Sequence, residues 1–207
     1  MISQQDFYKQ TLLSQCHRIA NPCIKKFAEV AIEHLPDYFF SIAASSSRKY
    51  HPQYVLGEGG LVRHTIAAVL IASHLLQLEQ YRKKFSKDEQ DCIVVALLLH
   101  DGLKRGIFGS EYTLHEHPFL CAKWVKDGAL FNGIVSKKIR RKIARCIAAH
   151  MGQWNTSKYS SYVLEKPRAE MQKFVHICDY LASRKDIEIN FHKENVIRLL
   201  HDVTSEV

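Results

Sequence analysis

Hydrophobic positions recur at helical spacing along nearly the whole chain. The pattern predicts helices at roughly 3–18, 22–34, 36–45, 61–78, 87–100, 117–127, 137–150, 168–183 and 192–203. Several have recognisable starts. Asn21-Pro22 puts proline at a first helical position. Ser86-Lys87-Asp88-Glu89 is a capping box just ahead of an apolar run. Lys166-Pro167-Arg168 opens the last strongly apolar helix. Asp186-Ile187-Glu188-Ile189-Asn190-Phe191 alternates polar and apolar, which predicts a short strand or an extended link. No repeat, low-complexity tract or interdomain linker interrupts the pattern. The segment from Ser45 to Pro52 separates an N-terminal helical cap from a core. The expected architecture is all-α: one domain over 1–207, with a cap at 1–56, a core at 57–190 and a C-terminal helix at 191–207.

The apolar pattern is broken at informative places. The run Ile93-Val94-Val95-Ala96-Leu97-Leu98-Leu99 reads as a buried helix, and it ends in His100-Asp101. Burying an unpaired carboxylate costs on the order of several kcal/mol, and a metal ion is a common way to offset that. Other residues of ligand type lie in similar settings. His64 opens the apolar helix from Val62 to Leu76, and His117 precedes Pro118 at a helix start. His150 continues the stripe of Ile139, Ile143, Cys146 and Ile147, so it should face inward. Asp179 sits within Phe174–Ala182, a helix with little polar surface. His115 competes with His117 from two residues away. Imidazole with carboxylate suits iron, zinc, manganese or nickel.

Composition narrows the picture. The 207 residues are 46% hydrophobic and 24% charged, as in an ordinary globular domain large enough to bury a core. No apolar stretch reaches ~18 residues, so no transmembrane helix is expected. The start, Met1-Ile2-Ser3-Gln4-Gln5-Asp6, lacks the marks of a secretory signal. The six cysteines form no CxxC and read as reduced, mostly buried thiols. These features point to a cytoplasmic protein with no membrane partner. The net charge of +8 is uneven. Residues 128 to 164 hold no Asp or Glu, yet carry Lys137, Lys138, Arg140, Arg141, Lys142, Arg145 and Lys158. This block is either a solvated helix face opposite the His150 stripe or an electrostatic guide for an anionic substrate. No Walker or Rossmann glycine fingerprint is present.

The order His64, His100-Asp101, Asp179 resembles the HD superfamily of metal-dependent phosphohydrolases. With His117 and His150 in between, it resembles that superfamily's two-metal branch. The flanks agree. Gly59-Gly60-Leu61-Val62-Arg63-His64-Thr65 is similar to a segment of HD-type exoribonucleases, and His100-Asp101-Gly102-Leu103-Lys104 keeps the HD-x-x-Lys form. Cys178-Asp179-Tyr180-Leu181-Ala182-Ser183-Arg184 resembles the final segment of HD hydrolases of dinucleoside polyphosphates. The likeness covers roughly 51 to 190. The chain departs from the branch at His150-Met151, where many members have a His-His pair.

The resemblance implies an HD-type helical bundle holding one or two divalent transition-metal ions (Fe, Mn, Ni or Zn). His64, His100, Asp101 and Asp179 would hold the first ion, and Asp101 would bridge to a second held by His117 and His150. It implies hydrolysis of a nucleotide, dinucleotide or nucleic-acid phosphoester or anhydride through a metal-bound hydroxide, with Asp101 and Lys104 catalytic. Lys104 lies one turn beyond His100 and would also bind substrate phosphate, while Arg105 points to another face. Trp154 and Tyr159 are candidates to stack a nucleobase, and Lys158 to meet a phosphate. His51 falls in the segment that leads into the family motif and is a further candidate for phosphate contact. His74, His176, His192 and His201 read as structural or surface residues. The expected partner is a nucleotide-type small molecule, with nucleic acid as a further option. Two other functions share the ligand set: a mixed-valence di-iron oxygenase and a non-catalytic nucleotide-binding regulator.

Overall fold

The computed structural model describes residues 2–45 and 51–187. Eight helices order the described residues: α1 Gln4–Ser14, α2 Pro22–Glu33, α3 Gly60–Gln77, α4 Glu79–Arg82, α5 Lys87–Leu99, α6 His117–Asp127, α7 Lys137–Ala148 and α8 Glu170–Ala182. No β-strand occurs among them. Short 3-10 turns at Gln15–Arg18, Gln53–Val55, Ala129–Phe131 and Gly152–Trp154 join the helices.

Two of the predicted start signals act as expected, while the helix after Lys166-Pro167-Arg168 begins at Glu170. Asn21 Oδ1 accepts from the Cys23 and Ile24 amides at 3.0 and 3.3 Å, capping α2. Ser86 and Glu89 cap α5 reciprocally. Because α5 has no polar face from Cys92 to Leu99, it must be covered on all sides, and all eight of those residues are buried. It packs against α2, α3, α7 and α8, and so forms the axis of the molecule. The buried residues of α1 and α2 join this same core. The Asp91 carboxylate, buried on α5, accepts from the backbone amides of Ala20 and Asn21, which fixes the cap to the core helix.

The structure corrects two expectations. The predicted helix at 36–45 is a single 3-10 turn, Asp37–Phe40. Beyond it the backbone bonds outward instead of along a helix. Ser41 and Ile42 carbonyls accept from Gly59 and Leu61, and the Ala44 amide donates to Val55. The second correction concerns membrane-length segments. α3 is by length and composition long and apolar enough to cross a membrane. In the fold 61% of it is buried, against α5 and α8, so core packing accounts for its apolar character. The expected link at 186–191 extends past the described residues, and the expected helix at 192–203 lies outside them.

The loop ahead of α3 is tightly built. Gly59 has φ +67°, and a Cβ there would lie 2.1 Å from the Tyr8 ring. A Cβ on Gly60 would lie 2.1 Å from the Val55 carbonyl oxygen. Arg63 donates to the Tyr54 and Leu56 carbonyls and to the Tyr8 hydroxyl. The cap helix α1 thus clamps the start of α3, one residue before His64.

Candidate metal centre

Five elements deliver six side chains to one point. His64 comes from the second turn of α3, and His100 and Asp101 follow the end of α5. His117 begins α6, His150 lies two residues past α7, and Asp179 lies in α8. All but the half-buried Asp179 are buried. Their donor atoms form three overlapping groups: His64–His100–Asp101, His100–His150–Asp179 and Asp101–His117–His150. Within each group the donor atoms lie within 4.8 Å of one another.

Three of the four histidines are held in one chemical form, while the buried His64 Nδ1 has no hydrogen bond. His100 Nδ1 donates to the Leu97 carbonyl at 2.7 Å, His117 Nδ1 to Leu114 at 2.6 Å and His150 Nδ1 to Ile147 at 2.8 Å. A carbonyl can only accept, so each Nδ1 carries the proton and the neutral ring leaves a lone pair on Nε2. That is the tautomer a metal ligand needs, fixed by a backbone partner. The Nε2 atoms crowd together: His64 to His100 at 3.2 Å, His117 to His150 at 3.4 Å.

Asp101 stands between the two pairs. Its Oδ2 faces His100 at 3.6 Å and His64 at 3.9 Å, and also meets the Lys104 ammonium. Its Oδ1 faces His117 at 2.9 Å and His150 at 3.7 Å. Despite the 2.9 Å approach, Oδ1 makes no aligned hydrogen bond, and it is buried. A close pair of buried lone-pair atoms without a hydrogen bond is the arrangement expected of two ligands aimed at a shared cation. Asp179 Oδ1 lies 3.0 Å from His64 Nε2 and 3.5 Å from His100 Nε2.

The electrostatics favour positive charge. Burial works against ionised Asp101, but Lys104 and His100 hold its carboxyl well below the usual range. Burial also opposes ionisation of Asp179, and His100 and His64 outweigh it in the same direction. His100 is desolvated, which lowers its basicity, yet Asp101 and Asp179 raise it overall. His150 is pushed down to about 3 by burial and by His100, so it is neutral at physiological pH. Two ionised carboxylates among lone-pair donors make a centre that attracts a cation. Borderline N and O donors fit a divalent transition metal.

A cavity of about 450 Å³ opens over the cluster. Beyond ligand-type residues its walls include His51, Lys104, Met151, Trp154, Ser183 and Arg184. Met151 occupies the wall next to His150, where the two-metal pattern has a second histidine. Trp154 stacks on Tyr180 at 5.7 Å and 16°, and the Arg184 guanidinium lies 4.3 Å from the Tyr180 ring and 5.6 Å from the Trp154 ring. His51 is pushed down to about 4, by burial and then by His64, and its Nδ1 has no hydrogen bond.

Other candidates lie elsewhere. Lys158 is exposed, sits 4.8 Å over the Tyr159 ring and does not line the cavity; Tyr159 is 85% exposed. Arg105 lines a separate surface groove. His115 bonds the Asn155 carbonyl through Nε2 and joins none of the donor groups. None of the seven basic residues between 128 and 164 lines the cavity. Arg184 and Tyr180 were not singled out by the sequence, although both lie close to Asp179 at the end of α8, which is where the signal was. His176, read as structural, donates from Nδ1 to the His150 carbonyl at 2.7 Å and supports that turn.

The doublet His100-Asp101 at the meeting point of these helices decides the family, and a family model for the HD domain matches residues 61–184. The chain belongs to the HD domain family. The matched region contains all six donor residues and most of the cavity wall. No curated protein and no solved structure gives a significant match. The superfamily is one of metal-dependent phosphohydrolases, and the His/Asp cluster of this HD domain fits metal binding.

Proposed function

We propose that this HD domain protein is a metal-dependent phosphohydrolase acting on a nucleotide-type substrate. The observation that carries the reading is the pair of faces on Asp101, each meeting two imidazole Nε2 atoms, three of which are held unprotonated by backbone carbonyls. His64, His100, Asp101 and Asp179 would hold one divalent ion, and Asp101, His117 and His150 a second. Such ions activate water and neutralise phosphoryl oxygens.

The chain's own residues supply the rest. Lys104, 13% exposed in its side chain and facing the cavity, is placed to donate to a phosphoryl oxygen. Arg184 adds a second cation to the same wall, which favours phosphate chemistry over the oxygenase reading. The Trp154–Tyr180 stack offers a flat surface for a nucleobase. We take the cap at 1–56 and the core at 57–190 as one functional unit and place it in the cytoplasm. All six cysteines are free thiols, in keeping with a reducing compartment.

The test uses the purified protein loaded in turn with iron, manganese, nickel or zinc, assayed on nucleotides, dinucleoside polyphosphates and short RNA. Release of phosphate or nucleoside monophosphate is expected. Lys104→Met should lower turnover by roughly a hundredfold with metal content intact, as for loss of one charge-stabilising donor. Turnover that requires oxygen, with no phosphate-bond cleavage on any substrate, would replace this reading with the di-iron oxygenase.

A further inference from the structure

The basic block that the metal centre does not use has a site of its own. The first turn of α7 lies about 17 Å along the helix axis from the end that leads into His150. A cleft of about 470 Å³ opens there, lined by Lys126, Asp127, Asn132, Lys137, Arg140 and Arg141. Arg140 is 3% exposed. Its terminal nitrogens donate to the Gly128 carbonyl at 2.9 Å and to Asn132 Oδ1 at 3.2 Å, and its buried Nε has no partner. No carboxylate pairs with this guanidinium among the described residues. Asp127, the carboxylate in the cleft wall, is paired with Lys126 at 3.4 Å. Lys137 and Arg141 are exposed and make no ion pair among the described residues.

The helix start adds to the imbalance. α7 opens Lys137-Lys138 with no acidic residue in its first turn, the reverse of what the helix dipole favours. A buried cation without a counter-charge and a basic helix start both disfavour the free protein. An anion in the cleft relieves both. The exposed cations extend beyond the cleft. Lys137, Arg141 and Arg145 succeed one another at i, i+4 and i+8, a row about 12 Å long with Lys138 beside it. A row of this kind matches a chain of phosphates better than a single phosphate.

We propose that this cleft and row bind the phosphate backbone of a polynucleotide, at a site separate from the metal centre. The proposal does not depend on the reaction at that centre. It is tested with the full chain by fluorescence anisotropy, using a labelled twelve-nucleotide phosphorothioate strand that resists cleavage. The double variant Lys137→Glu/Arg141→Glu should weaken binding by roughly tenfold or more, and should flatten the plot of log Kd against log salt by about 1.4, or ~0.7 for each lost contact. Both positions are exposed, and glutamate suits a helix N-terminus, so the melting temperature of this variant should not fall. Lys137→Arg/Arg141→Lys should bind as the wild type does, and so should Asp101→Ala. Unchanged affinity and salt slope in the double Glu variant would overturn the proposal. So would loss of binding in Asp101→Ala, which would place the strand at the metal centre. Complete displacement by inorganic phosphate at matched phosphate concentration would instead reveal a single-phosphate site.

Discussion

At the residue scale, the informative feature is how little freedom the site side chains keep. Each of His100, His117 and His150 gives its Nδ1 proton to a carbonyl three residues earlier, so the local backbone selects the tautomer. Asp101 is 3% exposed, and its two oxygens face different imidazoles. A shared carboxylate predicts an unequal outcome on mutation. Asp101→Ala should strip metal from the whole centre, whereas His117→Ala should remove mainly the ion it shares with His150. Elemental analysis of the purified variants checks this, and wild-type metal content in Asp101→Ala would sink the assignment.

At the scale of elements, the site depends on where helices begin and end. His100 and Asp101 follow the end of α5, His150 follows α7, and His117 opens α6. The Leu97 and Ile147 carbonyls that anchor His100 and His150 belong to the last turns of α5 and α7, whereas the Leu114 carbonyl that anchors His117 lies in the loop ahead of α6. The start of α3 is set from a distance: Tyr8 on α1 fills the space beside Gly59, and Arg63 ties Tyr8 to the loop. Gly59→Ala should therefore destabilise by roughly 1–3 kcal/mol through its left-handed φ alone, with the clash against Tyr8 in addition. Tyr8→Ala removes the clash but not the φ strain. In urea unfolding, the double variant should lose less stability than the sum of the two single variants. Simple additivity would show that the ring and the glycine are not coupled.

For the whole molecule, buried titratable groups set the response to pH. His150 is pushed down to about 3 and His51 to about 4, chiefly by burial. Unfolded histidine titrates near ~6.5. Below that pH the unfolded chain takes up protons that the folded chain refuses, so stability falls as pH drops. Asp101 and Asp179 act at lower pH, because their contribution is complete above about 3.9 and is lost only as pH falls through their depressed folded values. His100 has the opposite sign. Its contribution is complete below ~6.5 and is lost as pH rises through its raised folded value, so it does not offset the acid-side loss. The melting temperature of the metal-free protein should therefore decline steadily from about pH 6.5 to about 4.5, with a shallower decline in His51→Gln. A flat profile over that range would contradict the burial of these two imidazoles.

Much of this protein is legible in its sequence because helical periodicity is a local property. The α5 run, the capping box at Ser86 and Glu89, the proline start at α2 and the inward stripe leading to His150 depend on neighbours within a few residues. His100-Asp101 stands out for the same reason, as polar chemistry at the end of an apolar helix. What the pattern could not contain was competition between distant groups. The segment 36–45 has helical spacing, but the backbone of 55–61 takes its hydrogen bonds, and a helix loses to that pairing. The length of α3 satisfies a membrane span until α5 and α8 are seen to cover it. The basic block ends beside His150 in sequence, yet helix geometry carries Lys137 about 17 Å and Arg141 about 11 Å back from the end of α7 that leads into it, so proximity along the chain misdirects. Arg184 reaches the cavity, and Tyr180 stacks on its wall residue Trp154, only because α8 packs against α3. Sequence alone therefore determined which residues could be ligands, since that follows from side-chain chemistry and local burial. Only the tertiary structure decided which of them meet, because meeting depends on how separate helices pack.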